Sequence, residues 1–192
     1  MRSLITIICL FLFLGCENNQ GSKQIESAHV LAKSMDYSTE IGITQSEFRK
    51  KLVELNTETS LAAQQAKSES DIRKVKKLKE ILSIYEDSLV LWNNLNDEEL
   101  KGQFQAIDRS RFNIYVNDLE KGGFDPSSGN TEYKKAKIRQ IYDIVFRQQS
   151  LIIERKEYQS SVKGDGVKYW WIISIESPQK LWKIAKEEIK GL

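Results

Sequence analysis

Apolar positions recur at steps of four and three through Phe48, Leu52, Leu55, Thr59, Ala62 and Ala66, which predicts one buried stripe of a helix over about 45–66. Its start is marked twice: Thr44 and Glu47 have the spacing of a capping box, and Ile43 with Phe48 that of a hydrophobic staple. After a polar interruption at Ser68 to Asp71, which offers a second cap, the spacing resumes with Ile72, Val75, Leu78, Leu82, Tyr85, Leu89 and Trp92. Two stripes of similar length joined by a short polar turn predict an antiparallel helical hairpin. Ala62 and Ala66 let the two backbones approach near that turn.

Beyond the hairpin the pattern is less regular. Asn96 and Glu99 form a further capping box ahead of Leu100, Phe104 and Ile107, and periodicity leaves open whether that helix continues through Phe112, Tyr115, Val116 and Leu119. Gly122 to Asn130 reads as a loop from its Gly, Pro and Ser content. From Thr131 the spacing predicts helix again, with Tyr133, Ile138, Ile141, Val145 and Ile152 inward. Lys163 to Gly166 is a turn, and Val167 to Ile175 (VKYWWIISI) has the aromatic and β-branched chemistry of a strand at a length that also suits a short buried helix. Ser177-Pro178 opens a closing amphipathic helix with Leu181, Trp182, Ile184, Ala185 and Ile189. The expected fold class is therefore mainly α: an antiparallel helical hairpin plus further helices, with at most a small β element near 167–175.

The first residues follow a different rule. Arg2 precedes an apolar run, Leu4 to Leu14, broken only by Thr6 and ending at Gly15-Cys16. Eleven residues make about 16 Å of helix, half of a roughly 30 Å hydrocarbon core, so the run is too short to span a bilayer. A basic residue, an apolar run of this length and a small residue form the pattern of a secretory signal. The stretch Phe13-Leu14-Gly15-Cys16 resembles the lipobox of bacterial lipoproteins. That resemblance covers residues 1–16 only. It implies that the Cys16 thiol is acylated, that cleavage removes 1–15, and that the protein is held in a membrane of the cell envelope. Glu17, rather than Asp, follows the cysteine, which by the same resemblance favours the outer membrane in a Gram-negative host. Cys9 would leave with the signal, so the mature chain would carry no disulfide.

Residues 16–43 are polar, rich in Ser, Asn, Gln and Gly, and are expected to be the lipidated cysteine and a flexible tether, with a short helix at Ser27 to Met35 as the one structured alternative. A coil of that length reaches about 25–30 Å. Residues 44–192 are expected to form a single mainly helical domain.

Composition narrows the chemistry. Among 192 residues, 29 Lys and Arg stand against 27 Asp and Glu, and a net charge of +2 argues against a nucleic-acid binder. One His and two Cys leave little for a metal or thiol site, and no cofactor motif is present. His29, the only histidine, falls on the expected tether and reads as a solvated side chain. Arg73, Lys74, Lys76, Lys77 and Lys79 form a basic run whose apolar neighbours Ile72, Val75 and Leu78 face the hairpin, which puts most of these charges on a solvated face. Asp118, Glu120, Asp125 and Asp165 lie near loops, where two carboxylates would serve a glycan hydrolase, but with 27 acids some always will. Gly164-Asp165-Gly166 and Asp125 to Asn130 lack the alternating oxygens of a calcium loop and read as turns. Trp170 and Trp171 are candidate contacts for a partner if either is exposed on its strand, and core if the strand is covered on both faces.

Together these features lead to an expectation of a lipid-anchored envelope protein, non-enzymatic, needing no cofactor, held to a membrane through Cys16 and binding an envelope protein or glycan. An envelope enzyme with acidic catalytic residues is the alternative.

Overall fold

The computed structural model describes the backbone at 2–97, 111–115, 131–159 and 167–192, and side chains at 21–97, 136–156 and 171–192. In chain order the elements are α1 (Arg2–Ile41), α2 (Gln45–Gln65), α3 (Glu69–Leu95), β1 (Arg111–Tyr115), α4 (Thr131–Arg147), a 3-10 turn (Gln149–Leu151), β2 (Ile152–Gln159), β3 (Val167–Ser174) and α5 (Ser177–Lys190). The fold is mainly helical with a small antiparallel sheet, and the 167–174 segment is a strand. The chain divides into two compact units, 1–86 with 182–192 and 87–181.

In the first unit the expected tether is helical. α1 buries Gly21, Ile25, Ala28, Ala32 and Met35, a seam stepping by four and three. Three of the five are Gly or Ala, so the seam adds little hydropathy and a reading by composition passes over it. Small residues nonetheless permit close backbone approach: a Cβ on Gly21 would stand 2.8 Å from the Gln65 carbonyl oxygen. At the far end Lys51 Nζ donates to Ser34 Oγ at 2.8 Å. Gly21 beside Gln65 and Ser34 beside Lys51 make α1 and α2 antiparallel. The connection between them turns on Gly42, whose φ of 93° is left-handed backbone that favours glycine.

α2 begins at the Thr44–Glu47 capping box: the Glu47 N–H donates to Thr44 Oγ1 at 3.2 Å and the Thr44 N–H donates to Glu47 Oε2 at 3.1 Å. The next turn is capped by Ser68, whose Oγ accepts from the Asp71 N–H at 3.0 Å. The expected hairpin of α2 and α3 is present. Ala62 shares a buried cluster with Val75, Leu78, Ile25 and Ala28, and at the other end the Phe48 ring meets Tyr85 edge-on with centroids 6.0 Å apart. α5 lies along this unit through Trp182, 5.5 Å from Phe48, and through Lys77 Nζ, 3.6 Å from Glu188. Ile72 is exposed rather than in the hairpin, because the buried face of α3 begins a turn later at Val75 and widens to include Ile81 and Ile84. Arg73, Lys74, Lys76 and Lys79 are solvent-facing, with Glu69 and Glu80 one turn away as ion-pair partners of Arg73 and Lys76.

The second unit is built on antiparallel strands in the order β1-β3-β2. In it the end of α3 and α4 run antiparallel, tied by Asp87 to Arg147, Asn94 to Gln140 and Asp97 to Lys137. Ile138, Ile141, Ile144 and Val145 of α4 are buried. Helix ends at Arg147, and Ile152, expected inside it, instead opens β2: the segment from Ile152 to Gln159 has two isoleucines followed by four charged residues in a row, and it pairs with β3. β3 is the central strand, and Trp171, Ile172, Ile173 and Ser174 are buried in succession, so both its faces are covered there. Ser177 Oγ then donates to the Ser174 carbonyl at 2.6 Å and starts α5. Glu99 of the expected Asn96–Glu99 capping box, the Gly122 to Asn130 loop and the Lys163 to Gly166 turn lie outside the described residues.

Candidate functional site

Three places bear on function. The first is Cys16, the expected point of lipid attachment. Cys16 lies within α1, with its side chain outside the described residues. Among the described side chains, packing against α2 is already present at Gly21, five residues beyond the cysteine, where a tether running to residue 43 was expected. Among the described residues no helix is long and apolar enough to cross a membrane.

The second is the aromatic group of the second unit. Trp171 stands on β3 opposite Ile114 of β1 and Arg155 of β2, and α4 supplies Tyr142 and Phe146, one turn apart on its face. The three rings are mutually near parallel. Tyr142 and Trp171 centroids are 5.3 Å apart at 5°, Phe146 and Trp171 6.3 Å at 15°, and Tyr142 and Phe146 6.1 Å at 20°. Trp171 is 7% exposed and its Nε1 is buried without a hydrogen-bond partner, whereas Phe146 is exposed. What the group presents to solvent is thus a phenyl ring backed by a stack, not an indole. Trp170 holds the register position opposite Tyr115 and Lys156, and its side chain lies outside the described residues. Neither Tyr142 nor Phe146 stood out in the sequence, although an aromatic pair four apart on a helix was a visible signal.

The third is Asp87, 7% exposed on α3. Its Oδ1 accepts from Arg147 Nη2 at 2.7 Å, while Oδ2 is buried without a partner. Burial pushes the carboxyl pKa up, and the guanidinium beside it only partly opposes the rise. Asp87 therefore takes up a proton more readily than a surface carboxylate does. Nothing in the local sequence EDSLV marks this residue apart from the other acids.

His29 is half-buried on α1 rather than solvated on a tether. Its Nε2 is buried without a partner, and its pKa is lowered by burial, then by Lys33 and Lys74 against the opposing pull of Glu26. Among the described residues no three His, Cys, Asp or Glu side chains gather as a metal site. Asp118, Glu120, Asp125 and Asp165, the acids considered for catalysis, lie outside the described residues. No protein-family model, curated protein or solved structure matches this chain.

Proposed function

We propose that this chain is a lipid-anchored protein of a bacterial cell envelope, joined to a membrane through Cys16, whose helical body binds a protein or envelope polymer and catalyses no reaction. The observation that carries the reading is the apolar run from Leu4 to Leu14 ending at Gly15-Cys16, too short to span and closed by a nucleophilic side chain. Several acyl chains on one cysteine hold firmly, since each buried CH2 contributes about 0.8 kcal/mol.

The packing of α1 sharpens the picture. From Cys16 to Gly21 an extended chain reaches at most about 18 Å, and a helical one about 7.5 Å. The first helical unit is then held at the headgroups rather than floated above them. The membrane is the outer one if the host is Gram-negative.

Asp87 is the observation that favours the second reading, an envelope enzyme using acidic residues such as a glycan hydrolase, because a buried carboxyl with a raised pKa is the form a general acid takes. Such a site also needs a second carboxylate about 5–9.5 Å away.

The test is fatty-acid labelling of wild type and Cys16→Ser, with mass analysis of the mature N-terminus. Labelled wild type, a mature chain beginning at a modified Cys16, and an unlabelled variant support the anchor. An unlabelled wild type, or a mature chain that keeps Met1, ends it.

A further inference from the structure

α1 carries two seams. The inner one is buried against α2 and α3. The outer one, Ser27, Val30, Ser34, Tyr37 and Ile41, repeats the same alternation of three and four on another face. Such alternation is the pattern by which one helix receives another. Val30 on this seam is 55% exposed, and Val53 of α2 is 66% exposed. Between the two helices runs an open groove of about 590 Å³, with Val30, Leu31 and Val53 as its apolar lining and Glu26, Glu54 and Glu58 set against a single Lys23. Scattered exposed aliphatic residues are ordinary, but here they line one groove with an excess of negative charge.

We propose that this groove is the docking site for a basic amphipathic helix of a partner protein, which lays aliphatic side chains over Val30 and Val53 and sets Lys or Arg against Glu26, Glu54 and Glu58. The proposal rests on the reading of the body as a binding module and names the chemistry of its partner. Helix-in-groove recognition of this kind takes its anchors from residues three and four apart and its orientation from charge. A second copy of the chain fits less well. Packed antiparallel, it would send the two α1 starts to opposite ends of a helix pair about 30 Å long, against two anchors in one leaflet. Packed parallel about a twofold axis, it would bring Glu54 and Glu58 toward their own copies.

The test uses the full chain in phosphatidylcholine nanodiscs, with empty discs as the baseline. It is titrated with a fluorescent helical peptide of about 18 residues built from Leu and Lys, and with a Leu and Glu peptide of the same pattern. The Leu/Lys peptide is expected to bind and the Leu/Glu peptide not. Val53→Asp is expected to weaken binding about tenfold or more. The double variant Glu54→Lys with Glu58→Lys is expected to reverse the preference and take the acidic peptide. The valine faces solvent and the two glutamates lie along the open groove, so thermal melting that matches wild type shows that each variant folds. Absence of Leu/Lys binding overturns the proposal, as does equal binding by Val53→Asp, an unreversed preference, or sedimentation that shows a dimer dependent on Val53. The same titration on Cys16→Ser keeps the two proposals apart, since groove binding that persists there stands even if acylation fails.

Discussion

The two units solve the burial problem with different side chains. The helical unit closes α1 on α2 through Gly21, Ala28, Ala32 and Ala62, so these two backbones come near, and it sets large rings only where Phe48 meets Tyr85 and Trp182. The mixed unit instead brings Arg111 opposite Ser174 and stacks Trp171 on Tyr142 and Phe146, joining residues far apart in the chain around large rings. A core made by close approach is sensitive to added atoms. One made by large side chains is sensitive to their removal.

The largest effects expected test whether the units hold together separately. Phe48, fully buried between Tyr85 and Trp182, and Trp171, beneath its two aromatic neighbours, should each cost about 3–5 kcal/mol when replaced by Ala. Peptide-resolved hydrogen exchange locates the loss. Phe48→Ala should raise exchange in 45–65 more than in 141–151, and Trp171→Ala the reverse. Equal rises in both segments from either variant would mean that the chain opens as one body, and the contrast drawn above would lose its energetic meaning.

The same contrast explains what could be read without coordinates. Both caps and the stripes of α2 and α3 follow from local spacing, and Thr44, Glu47, Ser68 and Asp71 stand where that spacing put them. The helix at 21–41 did not announce itself because its buried positions are mostly Gly and Ala, whose hydropathy is weak even when their packing is tight. The extent of the sheet was hidden for another reason. β2 carries Glu154, Arg155, Lys156 and Glu157, and only its pairing with the apolar β3 makes it a strand. Of the candidate site, Cys16 and Trp171 were visible as residue types. Asp87 was not, since burial beside Arg147 is a property of packing and leaves no mark in sequence.

A smaller effect sharpens the claim about close approach. Replacing a helical glycine by alanine ordinarily stabilises a protein by about 0.5–1 kcal/mol, through propensity and a less disordered unfolded chain. At Gly21 the new Cβ would stand 2.8 Å from backbone oxygen of Gln65, which no side-chain rotation relieves. Gly21→Ala should therefore reverse the usual sign and cost about 1–3 kcal/mol in a urea melt. A gain in stability would show that α1 does not depend on contact with α2 at that point.

The smallest expected effect concerns acid, and the two units should answer it in opposite directions. In the helical unit, burial and Lys33 lower the folded-state pKa of His29, with Glu26 opposing and Lys74 reinforcing the shift. The unfolded chain then binds the proton more readily, so the stability His29 contributes is present above about pH 6.5 and is lost as pH falls toward the lowered value. Asp87 behaves the other way: burial raises its folded-state pKa despite Arg147, so its contribution is present below the ordinary carboxylate range and is lost as pH rises through the raised value. Urea midpoints measured between about pH 4 and 8 separate the two residues. His29→Gln should remove part of the loss on acidification, and Asp87→Asn should remove part of the loss on going from acid toward neutrality. An Asp87→Asn profile parallel to wild type would show that the Arg147 contact cancels the effect of burial at this carboxyl, and with that the basis for treating Asp87 as a ready proton carrier would be gone.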